Sequence, residues 1–164
     1  MRAMVITVSD RVSAGEAEDR SGPEAAGRLA DIGFTVDPIV VVPDGIESVE
    51  GALRAAVATG AGLIVTTGGT GLSPRDLTPE ATSRVIERPA PGFVEAIRAA
   101  TFGVNPHGML SRGVAGSAGA SLIINLPGSV TGVIEGLEVV KDALRHAVEL
   151  LVGGDSDHNA SSQG

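Results

Sequence analysis

The sequence predicts an α/β fold in which a mostly parallel sheet carries helices on both faces. Short apolar runs rich in β-branched residues alternate along the chain with longer segments of helical periodicity, an order typical of parallel sheets. The 164 residues fit a single domain. Three phenylalanines and no tryptophan or tyrosine accompany a hydrophobic share of 43%, and small apolar side chains of this kind suit closely packed helices and strands.

Four apolar runs predict the strands. They span residues 3–8, 34–42, 63–66 and 121–126. Pro38 lies inside the second run, and because proline cannot donate to a sheet ladder we expect an edge position or a break there.

Capping residues and apolar periodicity predict the helices. Ser21 and Glu24 form an S-x-x-E capping box for a helix that ends at Gly33. Thr78 before Pro79 predicts a second N-cap. The other predicted helices begin at about Ser48, occupy 79–87 and 91–102, and extend along the amphipathic stretch from Val133 to Leu151, with 103–120 irregular.

Composition excludes several classes of function. The chain has no cysteine, which excludes disulfide frameworks, thiolate catalysis and cysteine-ligated metals. A net charge of −8 disfavours a sequence-independent nucleic-acid binder. Lys141 is the only lysine, so a Walker-A phosphate loop and a kinase are excluded. No membrane span is recognisable, and we expect neither a membrane nor a nucleic-acid partner.

All four predicted strands end in small polar or acidic residues. The four ends read Ser9-Asp10-Arg11, Pro43-Asp44-Gly45, Thr67-Gly68-Gly69-Thr70-Gly71 and Asn125-Leu126-Pro127-Gly128-Ser129. Ligands of open parallel sheets bind outside the carboxyl ends of the strands. We therefore expect the active site at this edge of the sheet.

The glycine-rich segment 67–71 has two interpretations. Glycines bring backbone N–H groups close to an anion, and the threonine hydroxyls add donors, so a phosphate site is one hypothesis. A tight turn between a strand and a helix is the other, because glycine marks such turns readily. The helix that follows Asn125-Leu126-Pro127-Gly128-Ser129 offers a second anion-binding N-terminus, where Ser129 acts as a cap, a phosphate contact or both.

Two acids stand near the glycine-rich segment. Asp76 would repel a bound phosphate unless a cation intervened, and Mg²⁺ bridging carboxylate and phosphate oxygens resolves the conflict. A structural ion pair between Arg75 and Asp76 is the alternative. Asp44 either joins Asp76 at the metal or forms an Asx turn before Gly45. Metal-assisted phosphoryl or nucleotidyl transfer is the leading hypothesis from this chemistry.

These segments, taken in order, resemble a known family. The elements are Val8-Ser9-Asp10-Arg11, Val42-Pro43-Asp44, Thr66-Thr67-Gly68-Gly69-Thr70-Gly71, Arg75-Asp76-Leu77-Thr78-Pro79-Glu80-Ala81, Pro91-Gly92-Phe93, Leu110-Ser111-Arg112 and Asn125-Leu126-Pro127-Gly128. Together they are similar to the molybdopterin-binding family that includes MogA, MoaB and the G domain of gephyrin. The resemblance covers the chain from about Met4 to Leu151, and the combination of TTGGTG with R-D-x-T-P-E is its most specific part.

The resemblance implies a three-layer α/β/α sandwich, a homotrimer and a cytoplasmic enzyme of molybdenum cofactor biosynthesis. Such an enzyme transfers AMP from ATP to the terminal phosphate of molybdopterin with Mg²⁺ and releases pyrophosphate, and a separate partner protein inserts molybdate. The family's functional acids fall on Asp44 and Asp76, and its substrate-side serine falls on Ser111. Nucleotide and pterin phosphates are then expected at Ser9, Asp10, Thr67, Gly68, Gly69, Thr70, Gly71, Asn125, Pro127, Gly128 and Ser129.

Two other functions remain open from the motifs. The first is a non-catalytic molybdopterin-binding or carrier protein of MoaB type, and the second is a CinA-like nucleotide pyrophosphatase. The expected domain is 1–152, followed by a polar tail over 153–164 that we expect to be disordered.

Overall fold

A computed structural model of the chain describes residues 1–153. Its strands are β1 (Arg2–Val8), β2 (Thr35–Val36), β3 (Val40–Val42), β4 (Leu63–Thr67), β5 (Arg88–Pro89), β6 (Ala115–Ala118) and β7 (Ser121–Leu126). Its helices are α1 (Asp10–Ser13), α2 (Ser21–Ile32), α3 (Ile46–Ala58), α4 (Thr78–Ser83), α5 (Gly92–Thr101) and α6 (Val130–Leu151), with a short 3-10 helix at Pro106–Leu110. The α/β class predicted from the sequence is confirmed.

The strands form one mixed sheet in the order β2-β1-β4-β7-β6-β5, and β3 extends the edge beside β1. β2, β3 and β4 pair with β1 in parallel, and β7 pairs with β4 in parallel. At the other end, β6 runs antiparallel to both of its neighbours, β7 and β5. The carboxyl ends of β1, β3, β4 and β7 therefore share one edge, as the sequence predicted; we call it the carboxyl edge.

Helices cover both faces of the sheet and complete the three layers. One face packs Ala3 and Val5 of β1 against apolar side chains of α2, α5 and α6. The opposite face packs Ile6 and Val8 of the same strand against α3 and α4. Because the central strands are buried on both faces, they consist of continuous apolar runs instead of alternating ones.

The single strand predicted over residues 34–42 is divided into two short strands, β2 and β3. β2 and β3 flank Pro38, which interrupts the pairing with β1, and this is the break that a proline in a strand favours. β6 lies in the segment predicted to be irregular. Its sequence Ala-Gly-Ser-Ala has no β-branched residue, yet all four residues are buried.

The predicted N-cap of α2 is wrong. Ser21 is the first helical residue, and its hydroxyl shares a hydrogen bond with the Thr67 hydroxyl at 2.9 Å. Asp19 replaces it as the capping side chain, because its Oδ1 accepts from the backbone amide of Gly22 at 2.9 Å. Glu24 accepts from Arg28 one turn later instead of closing a capping box.

The end of the described chain follows α6. Most of the tail predicted at 153–164 lies outside the described residues. Between Met1 and Gly153 no helix has both the length and the apolar character that crossing a bilayer requires.

Candidate functional site

A cleft of about 390 Å³ opens at the carboxyl edge. One wall is the glycine-rich segment 68–71 with Asp76, and a second is the turn 127–129 with the first residues of α6. The third wall comes from α5 and the 3-10 helix and includes Thr101, His107 and Ser111. Three segments predicted to bind phosphate or substrate are thus brought together in space.

The backbone of the glycine-rich segment is closely packed. Gly68 and Gly69 have φ angles of 95° and 63°, in the left-handed region that side chains disfavour. A Cβ on Gly68 would lie 2.3 Å from the carbonyl oxygen of Val8, and one on Gly69 would lie 2.3 Å from Oγ1 of Thr78. Glycine is required at both positions by conformation and by space.

Three consecutive amides of this segment are available to a ligand. The amide of Gly68 donates to the carbonyl of Leu126 at 3.2 Å. Within the described chain the amides of Gly69, Thr70 and Gly71 donate to no protein group. Free N–H groups in a glycine-rich turn are suited to phosphate oxygens, which favours the anion-binding interpretation over a mere turn.

Thr78 holds this segment in place and is not the N-cap predicted from the sequence. Its hydroxyl donates to the carbonyl of Gly68 at 3.0 Å, and its backbone amide donates to the carbonyl of Gly69 at 3.0 Å. The side chain is fully buried and α4 has no side-chain cap. The Thr78-Pro79 pattern therefore predicts the start of a helix correctly, but the threonine side chain binds the glycine-rich segment and does not cap the helix.

Two predicted phosphate ligands have their side chains engaged inside the protein. The Asn125 amide donates to the hydroxyls of Thr66 and Thr82 at 2.9 Å each, and its oxygen accepts from Val114 at 3.1 Å. The Thr67 hydroxyl is fully buried against Ser21. Both side chains are therefore already hydrogen-bonded inside the protein, and phosphate binding at Asn125 and Thr67 stays a prediction.

Ser9 and Asp10 also have structural partners. Oγ of Ser9 accepts from the amide of Val12 at 3.3 Å and caps α1. The carboxylate of Asp10 is bound by Arg75, with Nη2 to Oδ1 at 2.8 Å and Nε to Oδ2 at 3.0 Å. Neither residue lines the cleft, so a direct phosphate contact from them has no support in the geometry.

Asp76 and Asp44 flank the glycine-rich segment. Oδ2 of Asp76 lies 2.7 Å from the position that a Cβ of Gly71 would take, and Oδ1 of Asp44 lies 3.1 Å from the corresponding position at Gly69. The suggested ion pair between Arg75 and Asp76 is wrong, since Arg75 pairs with Asp10. No ion pair to Asp76 forms anywhere in residues 1–153.

The electrostatics of the acids differ. Burial raises the pKa of Asp44, and the negative charges of Asp10 and Asp76 raise it further. The hydrogen bond from the backbone amide of Asp10 and the positive charge of Arg75 lower it, but by less. The hydrogen bond from Arg75 instead lowers the pKa of Asp10. Burial and the two neighbouring acids thus disfavour the ionised form of Asp44, and a bound cation would favour it.

Ser129 and Ser111 face the cleft from opposite walls. Oγ of Ser129 accepts from the amide of Gly132 at 3.1 Å, which confirms its role as N-cap of α6. Ser111 lines the cleft and accepts only a long bond of 3.4 Å from the amide of Gly113. Pro127 and Gly128 complete this end of the cleft. Phosphate binding at these residues stays a prediction.

Sequence reasoning missed the contribution of Arg112. Its Nε donates to the carbonyl of Gly71 at 2.8 Å, Nη2 donates to the carbonyl of Asp76, and Nη1 pairs with Glu80. Its backbone amide donates to the carbonyl of Thr70 at 2.9 Å. The one feature of the sequence that could have indicated this role is that Arg112 follows Ser111 in the segment 103–120, which has no other arginine, lysine or acidic residue.

Basic side chains are scarce at the cleft. Among the described residues that line it there is no lysine or arginine, and the ionisable groups are Asp76, Glu135 and His107. Clusters of three or more metal-ligating side chains are absent from residues 1–153. Mg²⁺ sites often combine one or two carboxylates with water and phosphate oxygens, a composition that Asp44 and Asp76 could supply.

Comparison with known proteins places the chain in a defined group. The sequence profile described as "Probable molybdopterin binding domain" matches residues 4–146. A molybdopterin adenylyltransferase of Helicobacter pylori strain J99 is 38% identical over 91% of this chain and 86% of its own. A molybdenum cofactor biosynthesis bifunctional protein of Synechococcus elongatus is 43% identical over 93% of this chain, which spans about half (48%) of that protein.

Solved structures agree with the sequence matches. The molybdopterin biosynthesis enzyme MoaB of Thermus thermophilus has a TM-score of 0.87 and 43% identity, covering 93% of this chain and 96% of its own. The CinA protein of Thermoplasma acidophilum has a TM-score of 0.66 at 20% identity, covering 87% of this chain and 97% of its own. The likeness to CinA is one of fold alone.

Proposed function

Because the chain belongs to the molybdopterin-binding domain family, we propose that it acts in molybdenum cofactor biosynthesis as a molybdopterin adenylyltransferase. It transfers AMP from ATP to the terminal phosphate of molybdopterin and releases pyrophosphate. The relative named for this activity in Helicobacter pylori matches along most of its length, which supports the assignment.

One structural observation carries the proposal. The unbonded amides of Gly69, Thr70 and Gly71 and the carboxylate of Asp76 line the same cleft. Free amides alone would form a simple anion-binding site, and a carboxylate alone would repel phosphate. Their combination suits a reaction in which phosphates are held while charge moves between their oxygens.

The reaction needs positioning more than covalent chemistry from the protein. An oxygen of the molybdopterin phosphate forms a bond to the α-phosphorus of ATP in line with the bridging oxygen of the leaving pyrophosphate, whose bond breaks. The amides of the glycine-rich segment donate to phosphate oxygens on which negative charge develops. Ser111 lies on the opposite wall, where it can donate to the incoming molybdopterin phosphate.

The acids fit a magnesium ion. Asp76 lines the cleft and Asp44 lies beside the glycine-rich segment without lining it, and both present carboxylate oxygens, the hard ligands that Mg²⁺ prefers. Burial is the main cause that raises the pKa of Asp44, and the negative charges of Asp10 and Asp76 add to it. These two residues would hold the ion, which supplies positive charge to the phosphate oxygens when bound.

Other parts of the proposal rest on the resemblance alone. They are the homotrimer, the cytoplasmic location, the partner protein that inserts molybdate and the assignment of residues 1–152 to the domain. Light scattering of the purified chain tests the trimer directly.

The deciding experiment incubates the full chain with molybdopterin, ATP and Mg²⁺. Pyrophosphate release and an adenylylated pterin identified by mass spectrometry are expected. Asp76→Asn keeps the size of the side chain but removes its charge, and we expect turnover to fall about 100-fold, with an unchanged far-UV circular dichroism spectrum.

The rival functions give different results in the same assay. Molybdopterin binding without pyrophosphate release would make the chain a binding or carrier protein. Hydrolysis of nucleotide diphosphate compounds without pterin adenylylation would favour the pyrophosphatase. Undiminished transfer by Asp76→Asn would remove that residue from the proposed machinery.

A further inference from the structure

We propose that Thr78 and Arg112 are positioning residues that orient the three free amides of the glycine-rich segment toward the phosphates. The inference deepens the proposed function and rests on it for the identity of the ligand. It concerns two side chains that line no part of the cleft themselves.

Peptide geometry couples each carbonyl to the N–H group that follows it. In a trans peptide the C=O of one residue and the N–H of the next point in opposite directions. No cis peptide bond occurs in the described residues. A hydrogen bond that fixes a carbonyl on one side therefore also fixes the following N–H on the other side.

Each free amide follows a carbonyl that is held in this way. The carbonyl of Gly68, which precedes the amide of Gly69, accepts from the Thr78 hydroxyl at 3.0 Å. The carbonyl of Gly69 accepts from the Thr78 amide at 3.0 Å, and that of Thr70 accepts from the Arg112 amide at 2.9 Å. The amides of Gly69, Thr70 and Gly71 are thus each turned away from an anchored oxygen.

The side chain of Arg112 fixes its own backbone amide relative to the segment. Its guanidinium binds the carbonyls of Gly71 and Asp76 and the carboxylate of Glu80. A lysine could pair with Glu80, but it lacks the planar fork that reaches three acceptors at once. Arg112 thereby also holds the backbone that carries Asp76.

A buried hydrogen-bond network lies behind Thr78. The carbonyl of Thr78 accepts from the Thr82 hydroxyl at 2.7 Å, and this hydroxyl accepts from Asn125 at 2.9 Å. All three side chains are buried. The anchors are therefore set before a ligand arrives, and a preorganised donor loses less entropy on binding than a mobile one.

The test measures binding of inorganic pyrophosphate and of ATP, each with Mg²⁺, to the full chain by calorimetry. Thr78→Val removes the hydroxyl with little change in shape, and Thr78→Ser restores it. We expect Thr78→Val to weaken both ligands about tenfold or more, since hydrogen bonds to charged groups carry at least this much affinity. Thr78→Ser is expected to stay within about threefold of the original chain.

Ser121→Ala is the matched control. The Ser121 hydroxyl is also buried and donates to a backbone carbonyl, that of Ala61, at 2.6 Å. It lies at the start of β7, at the opposite end of the strand from the cleft. We expect Ser121→Ala to lower the melting temperature as Thr78→Val does but to leave both dissociation constants unchanged.

A second variant tests the same inference if the Thr78→Val protein does not fold. Arg112→Lys is expected to weaken pyrophosphate about fivefold and to speed hydrogen exchange of the amide at position 112, which donates to the carbonyl of Thr70. Arg54→Lys is its control, because Arg54 also binds a glutamate and a backbone carbonyl, but between α3 and the end of α4. Equal pyrophosphate affinity and equal exchange in both variants would overturn the role of Arg112.

The outcomes separate this inference from the proposed function. AMP transfer by the original chain, with unchanged affinity and turnover in Thr78→Val, overturns the positioning role and leaves the function standing. Pyrophosphate binding that Thr78→Val weakens, without any AMP transfer, supports the positioning role and overturns the function. An original chain that binds neither ligand overturns both.

Discussion

Asp10 and Asp44 exchange hydrogen bonds across the carboxyl edge. The amide of Asp10 donates to Oδ2 of Asp44 at 2.8 Å, and the amide of Asp44 donates to Oδ1 of Asp10 at 3.0 Å. The pair fastens the start of α1 to the turn after β3, and Arg75 donates to the carboxylate of Asp10 and to the carbonyl of Asp44. Two acids are thus held close together with a single cation beside them.

This arrangement predicts that Asp44→Asn stabilises the protein while impairing its function. Because the pKa of Asp44 is raised, the folded chain disfavours the ionised form, and stability is lost as the pH rises through the window above the ordinary aspartate value. Asparagine retains the oxygen that accepts from Asp10 and carries no charge. We expect the melting temperature to rise by roughly 2 °C at pH 7 and turnover to fall.

The pH dependence checks the cause. The advantage of Asp44→Asn is expected to vanish below about pH 3, where Asp44 is protonated in both the folded and the unfolded chain. Glu16→Gln, an exposed carboxylate in the loop after α1, is the control and leaves the melting temperature unchanged at both pH values. A lower melting temperature for Asp44→Asn at pH 7 would contradict the interpretation.

Arg75→Ala is expected to have the opposite pH dependence. Arg75 lowers the pKa of Asp10, so their pairing stabilises the fold above the ordinary aspartate pKa and is lost as the pH falls through the lowered value. The side chains are 60% and 44% exposed, so solvent and salt screen the pair and the effect is small.

Thermal melts at pH 7 and pH 3 measure this effect. The deficit of Arg75→Ala should be present at pH 7, shrink in 0.5 M salt (about a threefold excess over physiological ionic strength) and diminish toward pH 3 without vanishing, because the bond from Arg75 to the carbonyl of Asp44 does not titrate. Arg20→Ala, which breaks a pair 78% exposed on both sides, should show no deficit at either pH. A salt-independent deficit would point to packing and not to charge.

The carboxyl edge could be predicted because it follows from topology. Parallel strands end on one side of a sheet, so the polar residues after each strand must converge, and those of 67–71 and 127–129 do so in the cleft. Antiparallel β6 could not be predicted by the same means. A Cβ on Gly116 would lie 2.6 Å from the carbonyl of Arg88, so close approach to β5 selects a glycine where a β-branched residue would signal a strand.

Which polar side chains face the ligand was harder to predict, because this depends on partners far away in the sequence. Asn125 lies near the end of β7, beside the turn predicted to bind an anion, yet its side chain donates to Thr66, 59 residues away, and to Thr82, 43 residues away. Local patterns identify a hydroxyl or an amide near a site. They do not reveal whether the fold has already supplied its hydrogen-bond partner.

Asn125→Ala therefore tests a structural role. The variant leaves the hydroxyls of Thr66 and Thr82 and the amide of Val114 without their partner in a buried place. We expect the free energy of unfolding, measured in urea, to fall by about 2–3 kcal/mol. Asn105→Ala is the control, since Asn105 caps only the exposed 3-10 helix through the amide of His107 and should cost about 1 kcal/mol or less. A fully stable Asn125→Ala protein would rule out the network as a source of rigidity.

Substituting alanine for glycine separates the positions where the fold demands glycine from those where it does not. Gly68 has a φ of 95°, and its Cβ would collide with the carbonyl of Val8 at 2.3 Å, so Gly68→Ala must move either β1 or the segment that carries the free amides. Gly27 lies within α2 with nothing within 4 Å of a Cβ, and there alanine removes only the backbone freedom of the unfolded chain.

The two variants should therefore differ in sign. Gly27→Ala is expected to raise the free energy of unfolding by about 0.5–1 kcal/mol with no change in pyrophosphate affinity. Gly68→Ala is expected to lower the free energy of unfolding by at least about 1 kcal/mol. It should also weaken pyrophosphate binding, because strain at this peptide displaces the amide of Gly69 that follows it. Normal affinity in a destabilised Gly68→Ala protein would mean that the ligand binds elsewhere in the cleft, on the N-terminus of α6.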